Sequence, residues 1–139
     1  MGPSPDFTKN RLYKGERLKR KKLIDRLFKE GTQNKHYPIL LFVLRYTPER
    51  IPFHQVLISV PKKHFKKSVV RNKIKRLIRE AYRTHKYMLY NNKHGLPFLL
   101  GYVYISKDVP TYAVIEKSVV TSIRYLIKQK NQKNEVAKS

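Results

Sequence analysis

Read for the alternation of apolar and polar positions, the chain first becomes periodic at KKLIDRLFKEG, residues 21–31. There Leu23, Ile24, Leu27 and Phe28 recur at three- and four-residue spacing, and Gly31 stands where a left-handed cap would close a short helix. YPILLFVLRY, 37–46, is a continuous apolar run suited to a strand covered on both faces, and FHQVLISV, 53–60, is a second strand rich in β-branched residues. TPERIP between them reads as a turn, so the two strands are expected to pair as a hairpin. In SVVRNKIKRLIREAYR, 68–83, Val70, Ile74, Leu77, Ile78 and Ala81 fall within an arc of about 100°, which predicts a helix over roughly 70–86 with one dry side. LPFLLGYVYIS, 96–106, is a third strand, and Thr111 is placed to cap a last helix on which Ile115, Val119, Ile123 and Leu126 recur every three or four residues. The order helix, strand, strand, helix, strand, helix describes a small α+β domain with helices packed on a central sheet.

Composition changes the picture through charge. The 139 residues suit a single domain, and the formal net charge is +23 with a pI of about 10.4. So dense a positive charge opposes compaction, and a chain that keeps it is expected to meet a polyanion, nucleic acid first. The cations are not confined to a tail: they occur near the amino terminus, around 62–86 and in the last helix. Residues 1–15 mix Gly, Pro and charge without period and read as a flexible basic leader, residues 16–128 as the folded domain, and 129–139 as a basic disordered tail. The absence of cysteine excludes disulfides and thiolate metal sites and suits a reducing compartment. No apolar run approaches membrane-spanning length, so the expectation is a cytoplasmic protein with no membrane partner.

The chemistry of self-sufficient phosphodiester cleavage is missing. A Mg²⁺ site needs clustered carboxylates, and Asp6, Glu16, Asp25, Glu30, Glu49, Glu80, Asp108, Glu116 and Glu135 are scattered singly. The five histidines show no acid–base spacing; His64, in the basic linker KKHFKKS, is read as a phosphate donor beside Lys66 and Lys67. What remains is binding. Arg71, Asn72, Lys75, Arg76, Arg79 and Arg83 fill the polar side of the 70–86 helix, without interspersed Glu at the i,i+4 spacing that would neutralise them. Guanidinium forks engage phosphate oxygens bidentately. Ile24 and Phe28, one turn apart, and Phe42 on the first strand could be core or could form an apolar shelf on which single-stranded bases stack beside cations.

The stretch VPKKHFKKSVVRNKIKRLIREAYR, 60–83, resembles the signature of the bacterial ribonuclease P protein component, with the R-N-x-x-K-R-x-x-R core complete as Arg71, Asn72, Lys75, Arg76 and Arg79. RLKRKKLIDRLFKEGT, 17–32, is similar to that family's first helix, and the likeness covers roughly residues 11–128. The resemblance implies a left-handed strand–helix–strand crossover, against the usual right-handed rule. It also implies a protein subunit, itself monomeric and free of catalytic residues, that binds a catalytic RNA and the 5′ leader of precursor tRNA. On that reading Mg²⁺ and the hydrolysis belong to the RNA. Carried over by position, Arg71, Asn72, Lys75, Arg76 and Arg79 would contact the RNA subunit. Ile24, Phe28 and Phe42 would line the leader cleft with Lys62 and Lys63 flanking it, and His64, Lys66, Lys67 and Arg83 would add phosphate contacts. Ile24 stands where many members have Phe, and the linker HFKKS is one residue longer than the common form. The rival readings are a structural RNA-binding protein such as a ribosomal one, and a metal-free protein ribonuclease. A helix-turn-helix DNA binder is disfavoured because a strand and linker, not a helix, precede Val70.

Overall fold

The computed structural model describes residues 11–48, 53–92, 95–129 and 136–137. After a 3₁₀ turn at Lys14–Glu16 come α1 (Lys21–Glu30), β1 (Thr32–His36), β2 (Ile39–Tyr46), β3 (Gln55–Ser59), α2 (Ser68–Asn91), β4 (Phe98–Tyr104), α3 (Tyr112–Lys128) and β5 (Val136–Ala137). The sheet runs β1-β2-β4-β3, with β5 alongside β2. β2 is antiparallel to both β1 and β4, while β3 runs parallel to β4 and reaches it through α2.

Alternation along the strands divides the core in two. Ile39, Leu41 and Val43 of β2 with Leu100, Tyr102 and Tyr104 of β4 face α2 and α3, meeting Ile74, Ile78 and Ala81 of one helix and Ile115, Val119, Ile123 and Leu126 of the other. On the opposite face Leu44, Tyr46 and Leu99 pack with Leu23 and Leu27 of α1 and with Leu18. Thr111 caps α3 as its position predicts, its side chain accepting from the Val114 N–H.

The expected hairpin between 37–46 and 53–60 does not form. β4 lies between those strands, because β2 is apolar on both faces and takes a central place with a partner along each edge. The hairpin partner of β2 is β1, TQNKH, joined to it through a cis Tyr37–Pro38 bond. Part of the expected turn TPERIP, residues 49–52, lies outside the described residues.

Gly31 is not left-handed: its φ of −69° and ψ of 153° are extended. The glycine is needed for room, since a Cβ there would sit 2.4 Å from the Leu27 carbonyl oxygen and 3.0 Å from that of Val43. The leader reading also gives way for residues 11–15. Leu12 packs on the larger core, and the segment continues into Arg17, which bridges to Val56 of β3 while the Leu18 N–H donates to the Val56 carbonyl. Of the segment read as a disordered tail, Val136 and Ala137 pair in parallel with Arg45 and Tyr46. Residues 1–10, 130–135 and 138–139 lie outside the described residues.

Candidate nucleic-acid interface

The charged side of α2 is not uniform, and its members separate by what their side chains touch. Arg71 is half-buried, and its Nη1 donates to the Phe65 and Lys66 carbonyls at 2.8 Å each, so it fastens the linker to the first turn of the helix. Arg83, expected as a phosphate contact, is bound to Glu80 at i,i+3, with Nε donating at 3.2 Å. That arginine holds the Glu80 carboxyl below the usual carboxylate range through the hydrogen bond. The expectation that no acid neutralises this side therefore fails at Glu80, where i,i+3 geometry does what i,i+4 spacing does elsewhere. Asn72, Lys75, Arg76 and Arg79 carry no hydrogen bond or ion pair from their side chains among the described residues; Asn72 and Arg76 are exposed, Lys75 and Arg79 half-buried. Ile74 and Ile78, fully buried between them, orient this side outward.

The linker places Lys62, Lys63 and His64 in a turn beyond β3, and Lys67 at the amino end of α2. Lys62, Lys63, Lys66 and Lys67 are exposed and His64 half-buried.

On the other face, α1 sits against β4 at Gly101. A Cβ there would lie 3.1 Å from Leu27 Cδ2 and 3.6 Å from Phe28 Cζ, so the glycine lets the helix approach closely. Phe28 and Phe42 meet edge to face with centroids 4.8 Å apart, and Phe28 keeps 37% of its surface exposed, an unusual fraction for a ring of that size. Ile24 and Phe42 are half-buried beside it. The register aligns Phe42, Gly101 and Leu57 in one row across three strands, a span of about 10 Å. Lys62 and Lys63 come five and six residues after Leu57 along the chain, so they stand at most roughly 15–20 Å from that end of the row.

Two features escape sequence reading. Gly101 leaves a signal, a lone glycine within an apolar strand. The other is a groove of about 190 Å³ at the β3 edge, lined by Leu12, Arg17, Leu18, Lys19, Val56, Leu57, Ile58 and Arg79. No spacing predicts it, because it joins the amino-terminal segment to α2.

That segment is held by a buried ionic cluster. Lys86 and Glu16 are both fully buried; the Lys86 ammonium donates to Glu16 Oε1 and to the Arg11 carbonyl, and lies 5.3 Å from the centre of the Tyr13 ring. The Tyr13 N–H donates to the same carboxylate at 3.1 Å and the Tyr90 hydroxyl to its second oxygen at 3.3 Å. Burial pushes the Glu16 carboxyl above its ordinary value, against the pull of Lys86 and the Tyr13 N–H.

Among the described residues, no group of three or more His, Asp or Glu could hold a metal ion, and no helix is long and apolar enough to cross a membrane. Fold and surface define a class: a small basic α+β domain with unneutralised cations on one helix and a partly exposed aromatic pair on the opposite face of its sheet. The ribonuclease P family pattern matches residues 12–126. The ribonuclease P protein components of Porphyromonas gingivalis and Chlorobium phaeobacteroides are similar to the chain, at 31% identity over 114 residues (81% of this chain, 83% of the relative) and 32% over 122 residues (79% and 84%). Among solved structures, the Staphylococcus aureus RNase P protein superposes with a TM-score of 0.62 at 27% identity, covering 84% of this chain and 98% of that one. The Thermotoga maritima RNase P protein shares the fold, with a TM-score of 0.61 at 20% identity over 79% and 96% of the two chains. The chain belongs to the ribonuclease P protein family.

Proposed function

We propose that this protein binds the catalytic RNA of ribonuclease P and the single-stranded 5′ leader of precursor tRNA, and assists Mg²⁺-dependent removal of that leader without supplying catalytic groups. The observation that carries the reading is the outward row Asn72, Lys75, Arg76 and Arg79, unpaired among the described residues on a helix whose other side is fully buried. Phosphates crowded where leader and catalytic RNA converge repel one another, and fixed guanidinium and ammonium groups reduce that repulsion. RNA phosphates then collect Mg²⁺ at lower free concentration, so substrate and metal affinity rise together. The Phe28–Phe42 pair supports the leader half of the reading: an exposed ring edge beside an apolar floor takes a base of any identity. Arg71 enters as the residue that holds the 61–67 linker in place rather than as a free phosphate ligand, and Arg83 is committed to Glu80.

The test is reconstitution with a bacterial ribonuclease P RNA, following leader removal across Mg²⁺ concentrations with and without the protein. Stimulation concentrated at low Mg²⁺ is expected, and no stimulation at any concentration overturns the reading. The protein without RNA is expected to leave precursor tRNA intact; cleavage by it would favour a protein nuclease. A ribosomal-type RNA binder would bind equally well with and without a 5′ leader.

A further inference from the structure

We infer that the groove between the amino-terminal segment and α2 is a nucleotide subsite of its own, taking one phosphodiester unit of single-stranded RNA next to the base that rests on the aromatic pair. The inference extends the proposed function and rests on its RNA-binding reading. Arg17 and Lys19 come from the segment, Arg79 from α2, and among the described residues none of the three side chains is hydrogen-bonded or paired with an acid. Leu12, Val56, Leu57 and Ile58 supply an apolar floor. Three cations around an apolar cleft fit a phosphate with its attached ribose or base, and fit a neutral or cationic ligand poorly. Leu57 both lines this groove and ends the row that begins at Phe42 and crosses Gly101, so a strand lying across Phe28 and Phe42 meets the groove after about 10 Å.

The fully buried Glu16–Lys86 pair, with the buried Leu18 on its other side, holds Arg17 and Lys19 there. Glu16 immediately precedes Arg17, and its carboxylate is gripped by Lys86 and Tyr90 of α2, the same helix that carries Arg79. Both walls of the groove are thereby referred to one rigid element. Glu16 and Lys86 are positioning residues: neither faces the groove.

The experiment measures binding of the full-length protein to a short poly-uridine oligoribonucleotide across salt concentrations. Arg17→Gln with Lys19→Gln, both exposed, is expected to weaken binding about tenfold at low salt and to lower the slope of log K against log salt by about 0.7 to 1.4. Glu16→Gln is expected to lower the slope as well, although it removes no RNA-facing cation, under conditions where circular dichroism shows the variant folded. An unchanged affinity and slope for Arg17→Gln/Lys19→Gln overturns the subsite, and an unchanged slope for folded Glu16→Gln overturns the positioning role. Lys75→Gln with Arg76→Gln, measured for binding to a bacterial ribonuclease P RNA, separates the two levels of inference. A loss there with none at Arg17 and Lys19 leaves the proposed function standing and removes the groove. No loss in either variant removes both.

Discussion

The amino-terminal and carboxy-terminal halves of α2 use cations in opposite ways. Toward its start, Lys75, Arg76 and Arg79 have no acidic partner among the described residues, whereas near its end Lys86 is fully buried against Glu16 and two tyrosine rings. Both halves carry an apolar stripe, and each holds Lys and Arg, five in the first and two in the second. What separates them is coverage: the amino-terminal segment crosses the helix at Lys86 and leaves the earlier turns open. A buried ammonium must be matched by hydrogen bonds and an opposite charge, so Lys86 is a fastener; an open guanidinium costs little in isolation and is available to a phosphate.

The sharpest way to break this contrast is to unmatch the fastener. Lys86→Met leaves the Glu16 charge buried without its partner and is expected to cost about 3–5 kcal/mol in urea unfolding, while adding Glu16→Leu recovers a large share. A cost below about 1 kcal/mol would mean the pair is not buried in solution. Next comes Gly101→Ala, whose new methyl would press on Leu27 Cδ2 at 3.1 Å; about 1–3 kcal/mol is expected, with Phe28 more exposed to solvent quenching if introduced as a fluorescent analogue.

A third comparison lies within the motif itself. Arg71→Ala releases two linker carbonyls and is expected to cost about 1–2 kcal/mol of stability, whereas Arg76→Ala should stay within about 0.5 kcal/mol. In RNA binding the order reverses, and Lys75, Arg76 and Arg79 changed together to Gln should lower the salt slope by about 2 to 3. Equal stability losses at Arg71 and Arg76 would erase the division drawn here.

The smallest effect is expected from pH. Burial pushes His36 below its ordinary value, so between that lowered value and about 6.5 the unfolded chain binds more protons than the folded one. Stability therefore rises with pH through that window and falls on acidification. His36→Gln should flatten this part of a pH–stability profile.

The helices were legible because each carries a period its burial obeys: Ile74, Ile78 and Ala81, or Ile115, Val119 and Ile123, are buried as their spacing requires. The aromatic pair was legible only as two open readings, since sequence places Phe28 and Phe42 on facing elements without saying that one edge stays wet. β1 was not legible, because TQNKH is a polar edge strand with no buried face of its own. The pairing of β3 with β4 was hidden by chain order, which favours neighbours. Arg71 looked identical to Arg76 in the sequence and differs only because the linker curls back onto it. The Glu16–Lys86 contact joins residues 70 positions apart, beyond any local pattern.

Because β4 occupies a middle position of the sheet, the ribosome delivers β2 and β3 well before the strand that joins them. Until Tyr104 has cleared the exit tunnel those two segments have no shared neighbour, and their apolar sides stay unpaired while most of the chain is made. Assembly of the full sheet is thus a late event in the domain's own synthesis, and a transcript truncated before the codon for Phe98 yields only the β1–β2 hairpin, with no strand to join β3 to it and no α3 to cover it.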